Sequence, residues 1–184
     1  MIIIEENYKN YHPQIKVKPI IQRLLNNLDP KLTAGLKYVF LTNSGALNRE
    51  DRKETVWSEG RKHELHHCNG WYSQSKKDGQ AKIYLLVDNI ISDMPGWLTK
   101  IPIFQDSLFA KTLYHEVGHH IHKVHSPEYN EREKVAKKWQ RKLQKNYFWK
   151  EHWFAAILLF PVAIVVKASM FLYKKLYRYL KKAK

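Results

Sequence analysis

Residues 107 to 125 constrain the fold of this chain more strongly than any other segment. Apolar side chains recur there at helical spacing, and Ser126-Pro127 follows at the point where a helix would have to stop. The apolar positions are Leu108, Phe109, Leu113, Val117 and Ile121. The pattern predicts a helix that starts at Ser107, ends near His125 and buries one side in a core.

The other side of this predicted helix carries His-Glu-Val-Gly-His at residues 115 to 119. Residues four apart on a helix lie only about 40° apart around its axis, so His115 and His119 point the same way and can bind one metal ion. A carboxylate beside the first histidine, here Glu116, can take a proton from water that zinc has acidified to a pKa of ~7. The motif therefore predicts zinc-dependent peptide hydrolysis, with Glu116 as the general base. Gly118 is small enough to let another element pack closely.

A second copy of the same pattern, His-Glu-Leu-His-His, occupies residues 63 to 67. Gly60 precedes it, Cys68-Asn69-Gly70 follows it, and no apolar helical stripe surrounds it. Its histidines need not share a helix face. We interpret His63, His66 and His67 as solvated loop residues or as a polar cluster near the cleft, and we do not expect the main metal site there.

A catalytic zinc ion usually has three protein ligands and one water molecule, so one ligand must come from outside the helix. Glu133 lies 14 residues beyond His119, in the first turn of a second predicted helix, residues 131 to 147. One turn further on, Ala136 is small and would allow the two helices to approach closely. We therefore predict Glu133 as the third ligand.

Other candidates for the third ligand remain open. His125 lies six residues after His119, which is the spacing of the metzincin pattern. That pattern also requires a glycine where this chain has His122, and a methionine turn, whereas the only later methionine is Met170. The remaining alternatives are Glu131 and Glu128.

Strand and helix patterns surround the motif. Helical spacing of apolar residues predicts a helix over residues 17 to 28, which Asp29-Pro30 would end. Residues 36 to 42 are rich in aromatic and β-branched side chains and predict a strand. Residues 70 to 74 and 81 to 88 flank a Lys-Lys-Asp-Gly turn and predict two antiparallel strands. Residues 46 to 70 are polar and are expected to be at most partly helical.

The motif residues resemble those of gluzincin-like minimal zincins, including the ImmA/IrrE-type peptidases. The residues that carry the resemblance are His115, Glu116, His119, Glu133 and Ala136. The similarity covers about residues 36 to 143. It implies an α+β fold, a minimal zincin-like domain in which a small mixed sheet packs on the active-site helix. It also implies that an edge strand, here residues 81 to 88, lies above the zinc and pairs with extended substrate.

Net charge is unevenly distributed along the chain. The formal total is +15, but residues 1 to 131 carry 17 Lys and Arg against 15 Asp and Glu, whereas residues 132 to 184 carry 15 against 2. Because phosphate contacts need clustered cations on a folded surface, nucleic acid is not an expected partner of the N-terminal part.

Cys68 is the only cysteine, so an intrachain disulfide and a cysteine zinc cage are both excluded. The N-terminus lacks the pattern of a secretory signal.

The C-terminal part contains a run of 21 residues, 153 to 173, whose only charge is Lys167. That length suits a helix across a hydrocarbon layer of ~30 Å, and basic and aromatic residues flank the run on both sides. We expect a peptidase domain at residues 1 to 147 and a C-terminal apolar helix within residues 148 to 184 that associates with membrane lipid, the domain itself being cytoplasmic. The alternative is a non-enzymatic basic protein that binds membrane or nucleic acid, with a structural metal or none.

Overall fold

The computed structural model of the chain describes residues 2–58, 61–75, 79–125, 132–154 and 157. The chain divides into two compact units, Met1–Lys145 and Asn146–Lys184. The first unit combines a small four-stranded sheet with several helices, which confirms the predicted α+β class. In the second unit, the described residues include the end of a helix, where the rings of Tyr147, Phe148 and His152 contact one another.

Helices and strands alternate irregularly along the chain. The strands are β1 (Ile3–Asn7), β2 (Leu36–Thr42), β3 (Thr55–Ser58), β4 (Arg61–Glu64), β5 (Gly70–Gln74) and β6 (Ala81–Leu86). The helices are α1 (Val17–Asn26), α2 (Arg49–Lys53), α3 (Val87–Ser92), α4 (Pro102–His125) and α5 (Arg132–Glu151). Short 3₁₀ turns occupy Pro30–Thr33, Ser44–Ala46, Leu65–His67 and Leu98–Lys100.

The main sheet has the strand order β1-β2-β6-β5. β1 and β6 both run parallel to β2, whereas β5 runs antiparallel to β6. Alternate residues of β2 and β6 are fully buried, because successive side chains of a strand point to opposite faces and one face lies in the core. These residues are Val39, Leu41, Ile83 and Leu85. Helix α4 packs against β5 and β6, and α1 packs against α4.

Buried polar contacts fasten α1 to α4. The hydroxyl of Tyr114, which is fully buried, donates a hydrogen bond of 3.1 Å to the carbonyl oxygen of Leu24. Arg23 forms an ion pair with Asp106, whose side chain is buried near the start of α4. Because α4 is held both by the sheet and by α1, it is a rigid support for the side chains along its remaining face.

Most predicted elements are confirmed, with shifted ends. Helix α4 begins at Pro102, five residues before the predicted start, because proline is well tolerated in the first turn of a helix. Helix α1 ends at Asn26 and not at residue 28. The predicted strand 81–88 ends at Leu86, since α3 begins at Val87. Residues 46–70 contain α2, the β3–β4 hairpin and a 3₁₀ turn.

The predicted identity of the edge strand is wrong. Strand β6 lies inside the sheet, paired with β2 on one side and with β5 on the other. The edge strand beside α4 is β5, Gly70–Gln74. The hairpin-like pattern of these two strands could not reveal which one would find a second partner, because the parallel pairing of β6 with β2 joins residues more than 40 positions apart.

The predicted C-terminal apolar helix, residues 153 to 173, lies outside the described residues except for Trp153, Phe154 and Ile157. These three side chains are exposed. Within the described part of the chain, no helix has both the length and the apolar character needed to cross a membrane.

Candidate metal centre

Helix α4 presents two polar pairs on different sides. His115 and His119 are four residues apart and form one pair, and Glu116 and His120 form the other. Since residues four apart share a helix face, each pair points in one direction. The first pair lies beside α5, and the second contacts β5. The two histidines His115 and His119 and the carboxylate of Glu116 therefore approach the same region from two neighbouring faces of α4.

The close approach of α4 and α5 depends on two small residues. A β-carbon built on Gly118 would lie 2.7 Å from the carbonyl oxygen of Ala136 and 2.8 Å from its Cα, so no side chain fits there. Ala136 is itself fully buried. Glu133 lies one turn before Ala136 on α5, and this contact therefore brings its carboxylate to the two histidines.

Three side chains converge at this point. Nε2 of His115 lies 3.2 Å from Nε2 of His119, and the latter lies 3.2 Å from Oε1 of Glu133. Oε2 of Glu133 lies 3.5 Å from Nε2 of His115. The three residues form one of the groups in the described chain that could hold a metal ion.

The spacing of these atoms fits a tetrahedral zinc ion. With zinc–ligand distances of 2.0–2.1 Å, tetrahedral geometry places neighbouring ligand atoms roughly 3.3–3.4 Å apart. The separations of 3.2 Å between the two imidazoles and between His119 and Oε1 of Glu133 are close to that value, whereas the 3.5 Å contact of His115 is with the other oxygen of Glu133. A small rotation of the carboxylate would bring one oxygen to both histidines. Oε2 of Glu133 is also buried and has no well-formed hydrogen bond to the described residues. A buried carboxylate oxygen without such a partner is costly unless a cation sits beside it, so the residues present fit a bound metal.

Other candidates for the third ligand lie elsewhere. His125 is exposed at the end of α4 and is not part of the group. Because α4 continues without a turn through His122, six residues of helix rotate His125 well away from His119. Glu131 and Glu128 lie outside the described residues. The geometry brings Glu133 to the two histidines.

The electrostatics of this group follow from burial and close charge. Burial disfavours charge on His115, but hydrogen bonding to Glu133 and the carboxylates of Glu116 and Glu133 outweigh this effect and raise its pKa. Burial alone would raise the pKa of Glu133. Its contacts with His115 and His119 outweigh burial and hold the pKa well below the usual range. In this arrangement Glu133 is therefore an anion, which is the form that binds a metal ion.

Glu116 occupies a different environment from Glu133. It is 5% exposed, and the backbone N–H of Tyr72 on β5 lies near enough to its carboxylate to lower its pKa. Burial raises the pKa of Glu116, against the opposing effect of His119 and His115. The carboxylate is held beside the two histidines without taking part in the group of ligands.

The second polar pair on α4 includes a residue whose role the sequence did not reveal. The sequence pattern assigns no role to His120, yet the residue is only 1% exposed. Its Nε2 donates a hydrogen bond of 2.9 Å to the carbonyl oxygen of Ala34, so Nδ1 can accept one of 3.3 Å from the hydroxyl of Tyr72. His120 thus fastens β5 to α4 through the residue whose N–H contacts Glu116. Its spacing of four from Glu116 is the one signal that could have identified it.

The negative charge of Glu116 affects the pKa of Cys68, the only cysteine of the chain. Burial, together with the smaller effect of the negative charge of Glu116, raises the pKa of the Cys68 thiol to about 11. The thiol is therefore protonated at neutral pH and is not an activated nucleophile.

The contact between Gly118 and Ala136 leads to a testable prediction. We expect Gly118→Val to lower the free energy of unfolding by about 2 kcal/mol or more, because both clashing atoms belong to the backbone of α5 and cannot rotate away. We also expect weaker zinc binding, since α5 carries Glu133. Thermal unfolding and zinc titration measure the two effects. Gly96→Val is the matched control, because a β-carbon at Gly96 meets no atom within 4 Å. Equal stability and equal zinc affinity in both variants would contradict the prediction.

The second copy of the motif is arranged differently from the first. His63 lies on β4, whereas His66 and His67 lie in the 3₁₀ turn that follows. Its histidines do not share a helix face, in agreement with the sequence context.

Comparisons of the chain with protein-family models, with curated proteins and with solved structures found no match. Function is therefore inferred from the residues of the site.

Proposed function

We propose that this protein is a zinc-dependent metalloendopeptidase of the HExxH type. The observation that carries the proposal is the convergence of His115, His119 and Glu133, with contacts of 3.2–3.5 Å between them and the buried carboxylate of Glu116 beside them. Two imidazoles and one carboxylate form a donor set of catalytic zinc sites, which keep a further position open for water or substrate. The proposed metal is zinc because nitrogen-rich sites with a single carboxylate disfavour magnesium and calcium.

Glu116 is the proposed general base. Zinc, when bound, supplies Lewis acidity, which makes water a better proton donor and polarises the carbonyl group that is attacked. The carboxylate of Glu116 accepts the proton from the attacking water and can pass it to the leaving amine. The N–H of Tyr72 lies near this carboxylate and favours its charged form, and His120 in turn contacts the hydroxyl of Tyr72.

The edge strand beside the site supports a protein or peptide as substrate. Along β5, residues whose backbone groups bond to β6 alternate with residues whose backbone groups point away from it. The hydrogen bonds of Asn69 with Leu86 and of Ser75 with Gln80 show which residues are of the first kind. Tyr72 is therefore a residue whose backbone groups point away from β6. An extended peptide added at this edge would pass directly beside Glu116, and its backbone would be recognised without a requirement for one particular side chain.

The experiment that tests the proposed function is replacement of Glu116 by glutamine, with proteolysis and zinc content measured on the same preparation. The two measurements separate the proposed peptidase from the alternative, a non-enzymatic protein with a structural metal. In the alternative, the substitution would change neither.

We further propose that the C-terminal segment holds the peptidase domain at a membrane, with the domain on the cytoplasmic side. The apolar run of residues 153 to 173 supports this, as do the exposed side chains of Trp149, Trp153 and Phe154 near its start. We expect the full chain to stay with membranes after alkaline carbonate extraction, whereas a variant that ends at Glu151 should be released. Complete release of the full chain would contradict this proposal.

A further inference from the structure

In the second copy of the motif, the residues that come close together are not the two histidines that an HExxH helix would pair. The group consists of Glu64, His66 and His67 and excludes His63. Glu64 immediately precedes the 3₁₀ turn Leu65–His67. Glu64 has an extended conformation, and the change from strand to 3₁₀ turn at this residue brings its carboxylate near the two imidazoles. The local backbone, and not a helix face, brings these side chains together.

The possible ligand atoms of the group are close to one another. One ligand atom from each of the three side chains lies within 4.8 Å of the other two. Nδ1 of His66 lies 3.4 Å from Oε2 of Glu64, and the ring centroids of His66 and His67 are 3.9 Å apart. Small adjustments of side chains that are partly exposed would bring three donors onto one ion.

The turn that carries the group is well anchored. Leu65 is buried, and its N–H donates a hydrogen bond of 2.9 Å to the carbonyl oxygen of Glu54. The side-chain amide of Asn89 donates to the carbonyl oxygens of His66 and Cys68, at 2.9 and 2.7 Å. These contacts fix the backbone on both sides of the two histidines, so the binding groups are held in place before any ion arrives.

A further contact orients one of the two imidazoles. Nδ1 of His66 donates a hydrogen bond of 3.2 Å to the carbonyl oxygen of Arg52, so the proton is on Nδ1 and Nε2 is the nitrogen of this ring that is free to bind a metal ion. Contacts of this kind to a backbone carbonyl are typical of histidines at metal sites, where they set the orientation of the ring.

We propose that Glu64, His66 and His67 form a second binding site for a divalent transition-metal ion, separate from the centre between α4 and α5. Two imidazoles and one carboxylate favour zinc and its neighbours, such as cobalt, nickel and copper, over calcium and magnesium. Glu64 is 54% exposed and His66 30%, so water molecules complete the coordination and the site binds more weakly than the partly buried centre. The proposal does not depend on the peptidase function.

Titration of zinc chloride into the full-length, chelator-treated protein in a mild detergent, followed by calorimetry, tests this site. We expect two binding events in the wild type, with the second at least about tenfold weaker than the first. His66→Ala/His67→Ala should lose the weaker event and keep the tighter one. His63→Ala is the matched control, because it belongs to the same motif but not to the group, and it should keep both events. Circular dichroism verifies that each variant is folded.

The outcomes separate this site from the centre on α4 and α5. A wild type whose only binding event persists in the His66→Ala/His67→Ala variant, or a His66→Ala/His67→Ala variant that still binds two ions, would overturn the proposal. A His115→Ala/His119→Ala variant should keep only the weaker event. Loss of both events in that folded variant would also count against a separate site. If the only event is the one that depends on His66 and His67, the second site stands and the proposed peptidase centre fails.

Discussion

Replacement of Glu116 by glutamine is expected to lower the rate of hydrolysis of a denatured protein substrate by a factor of about 1,000 or more, while zinc stays bound at the α4–α5 centre. General acid–base catalysis contributes about 10²–10⁴ to enzymatic rates, and the neutral amide cannot accept a proton. Glutamine keeps the shape of the side chain, and its carbonyl oxygen can still lie near the N–H of Tyr72. The loss should therefore appear in kcat and not in folding.

The measurement needs a control for a change of charge alone. Glu50→Gln removes one negative charge from an exposed position on α2 and should leave both proteolysis and zinc content unchanged. Release of acid-soluble peptides gives the rate, and elemental analysis gives the zinc content. If Glu116→Gln cleaves the substrate as fast as the wild type, Glu116 is not the base and the proposed mechanism is wrong.

Removal of a metal ligand is expected to have the second large effect. His119→Ala and Glu133→Ala should each weaken zinc binding by more than about 100-fold, because the loss of a group that merely supports a ligand already costs up to that much. Zinc at 1,000 times its dissociation constant stabilises a protein by about 4 kcal/mol, so the zinc-dependent rise in melting temperature should largely disappear in both variants. Calorimetric titration and thermal unfolding, with and without zinc, measure the two effects.

His125→Ala is the matched control for the third ligand, because His125 is the alternative that the metzincin spacing favours and it is exposed at the end of α4. It should bind zinc as tightly as the wild type. The reverse result, with tight binding in Glu133→Ala and weak binding in His125→Ala, would transfer the third position to His125 and would remove α5 from the site.

Local patterns were enough to predict much of the fold. The strand Leu36–Thr42 has the bounds predicted from its aromatic and β-branched residues, and the strand Gly70–Gln74 has those predicted from its place before the Lys-Lys-Asp-Gly turn. Helix α4 ends at His125 as its Ser-Pro stop signal predicts, although it begins earlier than Ser107. These elements depend on residues that are close along the chain, so their pattern is visible in one window of sequence.

Relations between distant residues were harder to predict. The parallel pairing of β2 with β6 places β5 at the edge of the sheet, against the expectation for residues 81 to 88. The buried role of His120 depends on Ala34 and Tyr72, which are 86 and 48 residues away along the chain. The spacing of four from Glu116 indicates a shared helix face but does not reveal these two partners.

The two copies of the motif show most directly how far the sequence by itself determines this protein. For residues 115 to 119, helical periodicity was sufficient to predict that His115 and His119 share a face, because a helix repeats its geometry every few residues. The sequence favoured Glu133 as the third ligand but left His125, Glu131 and Glu128 open, because the approach of Glu133 requires the contact between Gly118 and Ala136 on two separate helices. Residues 63 to 67 have the same sequence pattern but lie on a strand and a 3₁₀ turn. This backbone conformation brings Glu64 close to His66 and His67. Backbone conformation decides which side chains meet, and in that segment it is set by contacts with Glu54 and Asn89.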